Sequence, residues 1–212
     1  MSAIPFEPWP KTPRLNRDVV FTEKIDGTNA AVVILPTEAV DRIILEDGTV
    51  SFFDGDRHNI INVVDEHVVF AQSRNRFITP DRDNAGFARF VLENAAALVA
   101  TLGPGRHFGE WWGSGIQRGY GLTGGEKRFS LFNAARWGLE DLSAVPGLGA
   151  VPILPFSRLE HAAEALDFLR QNGSLAAPGF DNPEGLIAWH TAARTSFKAL
   201  LEGDDFPKGN AA

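Results

Sequence analysis

The chain of 212 residues contains no cysteine, which excludes disulfide bonds and cysteine-based zinc sites. Long apolar runs are also missing, since the stretch from Ala30 to Leu35 is far shorter than the ~20 residues of a membrane-spanning helix. Residues 1–10 lack the basic region and the apolar run of a signal peptide. From these absences we expect a soluble, cytoplasmic protein with no membrane partner.

The chain is acidic, and its net charge of −7 disfavours nonspecific attraction to nucleic acid. Residues 71–136 depart from this balance, because they hold nine Lys or Arg against five Asp or Glu. A basic surface on an acidic protein can bind phosphate groups, although a chance fluctuation accounts for the same numbers equally well. Charge therefore does not exclude a nucleic-acid partner.

Apolar segments and turn residues predict an α+β fold with mainly antiparallel sheets and few helices. The predicted strands are 19–24, 29–35, 42–46, 49–53, 67–73, 107–112, 128–132, 185–190 and 195–201, with Asp47-Gly48 as a hairpin turn. One helix is predicted over 84–102, capped by Asp83 or Asn84, and another from the capping box Ser157-Arg158-Leu159-Glu160 to Gln171. Residues 113–125 are rich in glycine, and we expect them to form a mobile loop.

The most informative run is Thr22-Glu23-Lys24-Ile25-Asp26-Gly27-Thr28-Asn29, which lies between two apolar segments. A lysine at the end of an apolar strand is partly desolvated, and desolvation favours the neutral amine, which is the nucleophilic form. Gly27 permits a tight turn and a close approach between backbone and ligand. An Asp-Gly pair after a strand is commonly an ordinary turn, however, so a catalytic role for Lys24 needs support from other segments.

Two further segments carry polar side chains suited to a nucleotide. Arg74 and Arg76 end a predicted strand, one residue apart, and would point to the same face, where guanidinium groups match phosphate and ribose oxygens. Glu110 lies among aromatic residues, where a carboxylate needs a partner such as a ribose hydroxyl, a metal or an arginine. The simpler interpretations are a solvated strand end for the arginines and a buried Glu–Arg pair for Glu110.

Three residues in later segments complete the pattern. Phe132 ends an alternating strand and could stack on a purine, although core packing is the commoner role of a strand phenylalanine. Glu184 opens an apolar strand, where its carboxylate could bind Mg²⁺. Lys198 lies on the next predicted strand, and a hairpin would bring it near Glu184, where it could neutralise phosphate charge. A surface ion pair between Glu184 and Lys198 is the simpler alternative.

In this order, the segments resemble the motifs of the covalent nucleotidyltransferase superfamily, which comprises DNA and RNA ligases and mRNA capping enzymes. The similarity is above all to the RNA ligase 2-like group of ATP-dependent RNA ligases, and it spans about residues 14–201. The run from Glu23 to Asn29 resembles the nucleophile motif, and Ser73-Arg74-Asn75-Arg76 resembles the motif that contacts ribose and phosphate. The segments similar to the remaining motifs are Gly109-Glu110, Phe132, Glu184-Gly185 and Lys198.

The resemblance implies a ligase-type nucleotidyltransferase domain with an ATP cleft. We expect it to form a single domain over residues 1–212 with no C-terminal accessory domain, because the chain ends soon after Lys198. Lys24 would attack ATP to form lysyl-AMP, with Lys198 at the α-phosphate and Asn29 assisting the transfer of AMP to RNA. The implied nucleotide-binding residues are Glu23 at the adenine amine, Ile25, Arg74 at the ribose, Glu110, Phe132 stacked on adenine, and Glu184. Glu184 and Glu110 would also hold Mg²⁺ or Mn²⁺.

The implied substrate is RNA with a 5′-phosphate and a 3′-hydroxyl, as free ends or as a nicked duplex, and the implied role is RNA repair. The chain departs from the family at Ser196, which stands where the closing motif usually has a first lysine. Relatives also commonly carry a second domain that engages nucleic acid, which a protein partner would have to supply here. The alternatives left open are a degenerate, non-catalytic module that binds nucleotide or RNA, a DNA nick ligase and a guanylyltransferase.

Overall fold

The computed structural model describes residues 4–44, 50–53 and 59–203. Within them, the strands are β1 Val19–Lys24, β2 Thr28–Pro36, β3 Asp41–Ile44, β4 Val50–Phe53, β5 Ile60–Val64, β6 His67–Ser73, β7 Phe77–Ile78, β8 Gly105–Gly113, β9 Lys127–Leu131, β10 Leu148–Ala150, β11 Gly185–His190 and β12 Thr195–Leu200. The α-helices are α1 Phe87–Glu93, α2 Ala95–Leu102, α3 Ala134–Trp137 and α4 Ala162–Asn172. Short 3₁₀ helices span Thr37–Ala39, Pro80–Arg82, Gly119–Gly121 and Leu159–His161.

The strands form a large sheet, a small sheet and a ribbon. The large sheet has the order β10-β9-β8-β2-β6-β5, with β7 paired to β6, and only the β10–β9 pair is parallel among its described strands. The small sheet has the antiparallel order β1-β11-β12, and β3 pairs with β4 in the ribbon. The predicted α+β class with mainly antiparallel sheets is therefore confirmed.

Each main sheet buries one face against helices. In β2, the alternate residues Ala30, Val32 and Ile34 are fully buried in a core that also contains residues of α1 and α2. In β1, Val19 and Phe21 are buried in a second core with Ala165 and Leu169 of α4. Because side chains alternate along a strand, the intervening residues of β1 are free to face the other sheet.

The predicted strands mostly recur with small changes at their ends, and the structure adds others. The hairpin expected around Asp47-Gly48 is consistent with the β3–β4 pairing, whereas residues 45–49 themselves lie outside the described residues. The strands β5 and β10 were not predicted from sequence. The first contains a register shift between Ile60 and Asn62, and the second is three residues long with a central glycine, so both lack the regular alternation that identifies strands.

The helix predicted over 84–102 is divided in two. Asn94 has non-helical backbone angles (φ −111°, ψ 11°), and its side-chain amide donates to the carbonyl of Phe90 at 2.8 Å. Such local side-chain bonds compete with helix hydrogen bonds. Gly86 occupies the N-cap position of α1, but the carboxylate of Asp83 accepts hydrogen bonds from the backbone of Ala88 at 2.7 Å and of the following residue, so Asp83 still satisfies the helix start.

The capping box predicted at residues 157–160 was wrong. A 3₁₀ turn comes first, α4 begins only at Ala162, and neither N-cap residue, Arg158 or His161, makes a side-chain capping hydrogen bond. Instead, Arg158 is tied to the residue before β1, since its guanidinium lies 3.1 Å from the carboxylate of Asp18. No helix in the described part of the chain has both the length and the apolar character needed to cross a bilayer.

Candidate active site

A cavity of about 920 Å³ lies between the small sheet and the large sheet. Residues from both sheets and from the segment after β9 line it. Six of the residues predicted from the sequence to have a role in the site are among them, and these are Glu23, Lys24, Ile25, Asn29, Glu110 and Phe132. We call this cavity the cleft.

Lys24 is the last residue of β1, where it pairs with Gly185 of β11 across the small sheet. Its ammonium donates a hydrogen bond to the carboxylate of Glu184, the residue that precedes β11. The two side chains are 23% and 10% exposed. The surroundings of Lys24 are thus different from the apolar ones expected from sequence, because a carboxylate holds its ammonium at the edge of the cleft.

The turn after Lys24 is held tightly against β8. The backbone N–H of Asp26 donates to the hydroxyl of Tyr120 at 2.9 Å, and that of Gly27 donates to the Glu110 carboxylate at 3.1 Å. A Cβ atom at Gly27 would lie 2.5 Å from the backbone oxygen of Trp111, so only glycine fits here without displacing the backbone. The expected close approach at Gly27 is therefore made to the protein itself.

Glu110 is held in a partly buried position by this turn. Burial raises its pKa to about 7, because desolvation disfavours the carboxylate, while the charge of Lys24 acts in the opposite direction. The nearby carboxylates of Glu184 and Asp26 push the pKa further up. The simpler alternative of a Glu–Arg pair is not found in the described structure, since Glu110 accepts instead from the backbone of Gly27.

Glu23 lines the cleft, but its carboxylate is bound to a neighbouring segment of the protein. One oxygen accepts from the hydroxyl of Ser174 at 2.6 Å, and the other accepts from the backbone of Leu175 at 2.8 Å and of Ala176 at 2.9 Å. The residue is 1% exposed, and burial raises its pKa despite these hydrogen bonds. The carboxylate thus fixes the segment 174–176 and does not lie open to a nucleotide.

Aromatic side chains form part of the cleft wall. Phe132 is 42% exposed and follows the end of β9, so it does not pack in the core, which was the simpler expectation. Phe108 lies beside it, because its backbone oxygen accepts from the N–H of Phe132 at 2.9 Å. Trp189 of β11 faces them from the small sheet and is 41% exposed. Phe108 and Trp189 were not singled out in the sequence, since neither belongs to a recognised motif.

Ser196 and Lys198 of β12 lie on the same face of the small sheet as Val20 and Thr22 of β1, which line the cleft. Ser196 lines the cleft, and Lys198 is exposed at the level of Ile187 and Thr22. One strand, β11, lies between β12 and β1, so the backbone at Lys198 is two strand spacings, or roughly 10 Å, from β1. The expected proximity of Lys198 and Glu184 was wrong in detail, because Glu184 lies beside Leu201, whose N–H donates to its backbone oxygen at 3.0 Å.

Arg74 is exposed just beyond β6 and does not line the cleft. The prediction that Arg74 and Arg76 share a strand face was wrong, because residues 74–76 form a bend closed by the hydrogen bond from the N–H of Ser73 to the carbonyl of Arg76. The guanidinium of Arg76 donates to the carbonyl of Arg82 at 3.0 Å, which is a structural contact. Two arginines that the sequence did not indicate, Arg106 and Arg136, line the cleft instead.

The family of the chain follows from its sequence match. Residues 17–201 match the sequence model of the family described as RNA ligase. The chain belongs to the RNA ligase family. The resemblance inferred from the ordered motifs is thereby confirmed, and no curated protein matches the chain.

The solved structures similar to this RNA ligase family member include mutants of the RNA ligase from Naegleria gruberi. One contains AMP and Mn (TM-score 0.50, 19% identity, 88% of this chain and 50% of that one). Another contains ATP and Mn (TM-score 0.50, 19% identity, 89% and 51%), and a third is an apo form (TM-score 0.50, 20% identity, 87% and 49%). The present chain spans about half the length of these proteins, and at this identity the likeness shows the fold alone.

Two carboxylates of this RNA ligase family member have the character of ligands for a divalent cation. Glu184 accepts a hydrogen bond from Lys24, and the charge of Lys24 also acts on Glu110. The negative charge of Glu184 disfavours ionisation of Glu110, and a bound cation would offset that cost. Within the described residues there is no group of three or more His, Cys, Asp or Glu able to enclose a metal. Mg²⁺ is commonly held by one or two carboxylates together with substrate phosphates, so this pair fits such an ion.

Proposed function

We propose that this chain is the adenylyltransferase domain of an ATP-dependent RNA ligase, with Lys24 as the nucleophile. The observation that carries the proposal is the position of Lys24, whose amine lies at the edge of an aromatic-walled cleft beside two carboxylates. Its neutral amine would attack the α-phosphate of ATP, forming an N–P bond as the bond to pyrophosphate breaks. The proton lost by the amine passes to solvent or to the departing group.

The AMP would then pass from Lys24 to the 5′-phosphate of an RNA end, and the 3′-hydroxyl of another end would attack that activated phosphate, releasing AMP. Each step is a displacement at phosphorus, in which positioning and charge neutralisation dominate the rate. Membership of the RNA ligase family supports RNA as the acceptor. Asn29 would assist this transfer of AMP, and its position in the cleft wall, paired with Glu110 in the β2–β8 register, supports that role.

The cleft residues suggest how the nucleotide is bound. Phe132 presents an exposed ring on which adenine could stack, with Ile25 and Ile187 as apolar neighbours lining the same cavity. Lys198, on the same face of the small sheet as Lys24, would approach the phosphates. Glu23 would act through the segment 174–176, because both of its oxygens already accept hydrogen bonds.

Glu110 and Glu184 are the residues that would hold Mg²⁺ or Mn²⁺. The ion would offset the negative charge of the phosphates. The Naegleria ligase structures with ATP or AMP and Mn support this choice of nucleotide and metal. On the protein side, Glu184 has a second partner in the ammonium of Lys24, so metal and lysine would share one carboxylate.

The test is the mass of the intact protein after incubation with ATP and Mg²⁺, beside the Lys24→Ala variant. We expect the wild type alone to gain one AMP, with both proteins showing the same thermal unfolding temperature. An adduct that persists in Lys24→Ala would overturn the assignment of the nucleophile. ATP binding without an adduct in the wild type would instead favour a non-catalytic module, in keeping with Ser196 where relatives carry a lysine.

The acceptor is tested separately, with the adenylylated protein in hand. RNA with a 5′-phosphate, nicked RNA and nicked DNA are offered in turn, and GTP replaces ATP in a parallel reaction. Transfer of AMP to RNA ends or RNA nicks is the expected result. Preferential sealing of DNA nicks, or labelling by GTP, would identify a DNA ligase or a guanylyltransferase on the same fold.

A further inference from the structure

Arg118 links three segments that are distant in sequence. Its Nε donates to the carboxylate of Asp26 at 3.2 Å, in the turn that follows Lys24. One of its terminal nitrogens donates to the side-chain oxygen of Asn182 at 2.8 Å and to the backbone oxygens of Asn182 and Pro183 at 3.1 and 3.5 Å. The other terminal nitrogen lies 3.9 Å from the carboxylate of Glu202, beyond β12.

These contacts bracket the pair formed by Lys24 and Glu184. Asp26 lies two residues after Lys24, and Pro183 lies immediately before Glu184. Both contacted segments lie outside the β1–β11 ladder, which ends at the pairing of Lys24 with Gly185. The ladder therefore fixes the backbone positions of β1 and β11. Arg118 fixes the positions of the turn after Lys24 and of the segment that leads into Glu184.

The segment that carries Arg118 is itself anchored to the large sheet. Tyr120 is 2% exposed, and its ring packs against Trp112 of β8 (5.3 Å between centroids) and against Phe180 (4.6 Å). Its hydroxyl accepts from the backbone of Asp26, the same residue whose carboxylate binds Arg118. The sequence predicts a mobile loop over 113–125, but this part of it ties the large sheet to the ends of all three strands of the small sheet.

The backbone on both sides of Arg118 is strained. Gln117 and Tyr120 have positive φ angles of 43° and 50°, which side chains other than glycine rarely adopt. Such conformations persist where surrounding contacts fix them. The guanidinium contacts of Arg118 and the packing of Tyr120 are contacts of this kind, so the arginine is delivered to its partners at a defined position.

We propose that Arg118 is a positioning residue for the nucleophile, and that Asp26 serves as its anchor and not as an acid or base in the reaction. This inference rests on the proposed function, because it assumes that Lys24 is the residue adenylylated. Arg118 does not line the cleft and touches no reacting atom. It acts by holding the turn after Lys24 and the segment before Glu184 in fixed positions relative to each other.

The experiment compares adduct formation by the wild type, Arg118→Ala and Arg118→Lys, with the rate and the KM for ATP measured separately. A small displacement of the reacting groups costs roughly 100-fold in rate. We therefore expect Arg118→Ala to slow adduct formation about 100-fold with less than a threefold change in KM. Arg118→Lys should recover only part of the rate, since an ammonium cannot reproduce the guanidinium fork.

The matched control is Arg158→Ala, which removes an Arg–Asp ion pair at the opposite end of β1. It should adenylylate at the wild-type rate, and its unfolding temperature shows what the loss of such a pair costs the fold. If Arg118→Ala does not fold, the comparison rests on Arg118→Lys, which keeps the charge and most of the volume. A folded Arg118 variant with the wild-type rate of adduct formation would overturn the proposal.

A double variant separates the two roles of Asp26. If Asp26 acts only through Arg118, adding Asp26→Asn to Arg118→Ala should slow adduct formation by less than threefold further. A further loss of tenfold or more would show that Asp26 contributes chemistry of its own and would contradict the anchor role. A wild type that forms no lysyl-AMP would instead refute the proposed function, so the two failures give different results.

Discussion

The ammonium of Lys24 donates a hydrogen bond to the carboxylate of Glu184, a residue 160 positions away in the chain. The antiparallel register of β1 and β11, which sets Lys24 opposite Gly185, brings the two side chains together. Both lie largely out of solvent. A buried ion pair of this kind is costly to break by removing one partner, because the other charge is left uncompensated.

Replacing Glu184 with glutamine tests its contribution to the site. The amide keeps the shape of the side chain but provides neither a charge for Lys24 nor a strong ligand for a divalent cation. We expect Glu184→Gln to slow formation of the lysyl-AMP adduct at least 100-fold. The measurement is the adduct fraction by intact mass over time, at several Mg²⁺ concentrations.

The control for this prediction is Glu126→Gln, which alters an exposed carboxylate paired with Arg128. It should retain the wild-type rate. A Glu184→Gln variant that remains within threefold of wild type at every Mg²⁺ concentration would remove Glu184 from the proposed metal and lysine site.

Lys198→Ala tests the single lysine of the closing segment. It lies on the same face of the small sheet as Ser196, which lines the cleft, and under the proposed function its charge would approach the phosphates of ATP. Because Ser196 supplies no second charge, Lys198 should carry most of this effect, and we expect its loss to slow adduct formation by several orders of magnitude. Lys11→Ala, in the exposed N-terminal segment, is the control.

The size of the effect decides the assignment. A loss of less than about tenfold corresponds to less than roughly 1.4 kcal/mol of transition-state stabilisation. That is too little for a residue that neutralises the reacting phosphate. Such a result would mean that another cation, such as Arg106 or Arg136 in the cleft wall, has taken this role.

Short-range patterns explain why several site residues could be predicted from the sequence. Lys24 and Gly27 stand together in one turn, and Glu110 stands within a single strand, so neighbouring residues identify each of them. The residues that sequence reasoning missed act through distant partners. Arg118 binds Asp26 and Asn182, which are 92 and 64 positions away, and nothing in its own loop of glycines indicates either contact.

The errors have a related cause. Arg74 and Arg76 were assigned to a strand face because strand alternation was extended past Ser73, whereas the backbone bends there and sends Arg76 to a carbonyl oxygen. The expectation that Glu23 reads the adenine amine stays a prediction, to which the structure adds that both of its carboxylate oxygens already accept hydrogen bonds. The strand ends could be predicted from local pattern, and the directions of side chains beyond them depended on tertiary contacts.

Phe132→Ala tests the proposed stacking surface. Stacking of a base on an aromatic side chain is worth about 1–3 kcal/mol. We therefore expect the KM for ATP to rise between about fivefold and 150-fold, with little change in the unfolding temperature, because the ring is not part of the core. The control is Phe197→Ala, a ring that is 52% exposed and does not line the cleft.

The comparison with Phe132→Tyr sharpens this prediction, since tyrosine keeps an aromatic face. It should restore most of the affinity for ATP. If Phe132→Ala and Phe197→Ala change KM equally, the base binds elsewhere, and the neighbouring Phe108 or the facing Trp189 becomes the candidate surface.

Glu110 gives the protein a specific dependence on pH. Burial raises its pKa from 4.5 to about 7, so the native state binds this proton more tightly than the unfolded chain does. The stabilisation is fully present below about pH 4.5 and is lost as pH rises through about 7. Glu110→Gln, which is neutral throughout, should therefore gain stability relative to wild type between pH 4 and pH 8, by as much as about 3 kcal/mol.

Urea unfolding of both proteins across this range, without nucleotide or metal, measures the difference directly. Glu23, whose pKa burial also raises, is present in both and cancels from the comparison. Parallel stability curves for the two proteins would show that Glu110 does not titrate near neutrality. In the wild type, the rate of adduct formation should rise with pH through about 7, because only the ionised carboxylate can support a divalent cation, and added Mg²⁺ should shift that rise to lower pH by stabilising the charge.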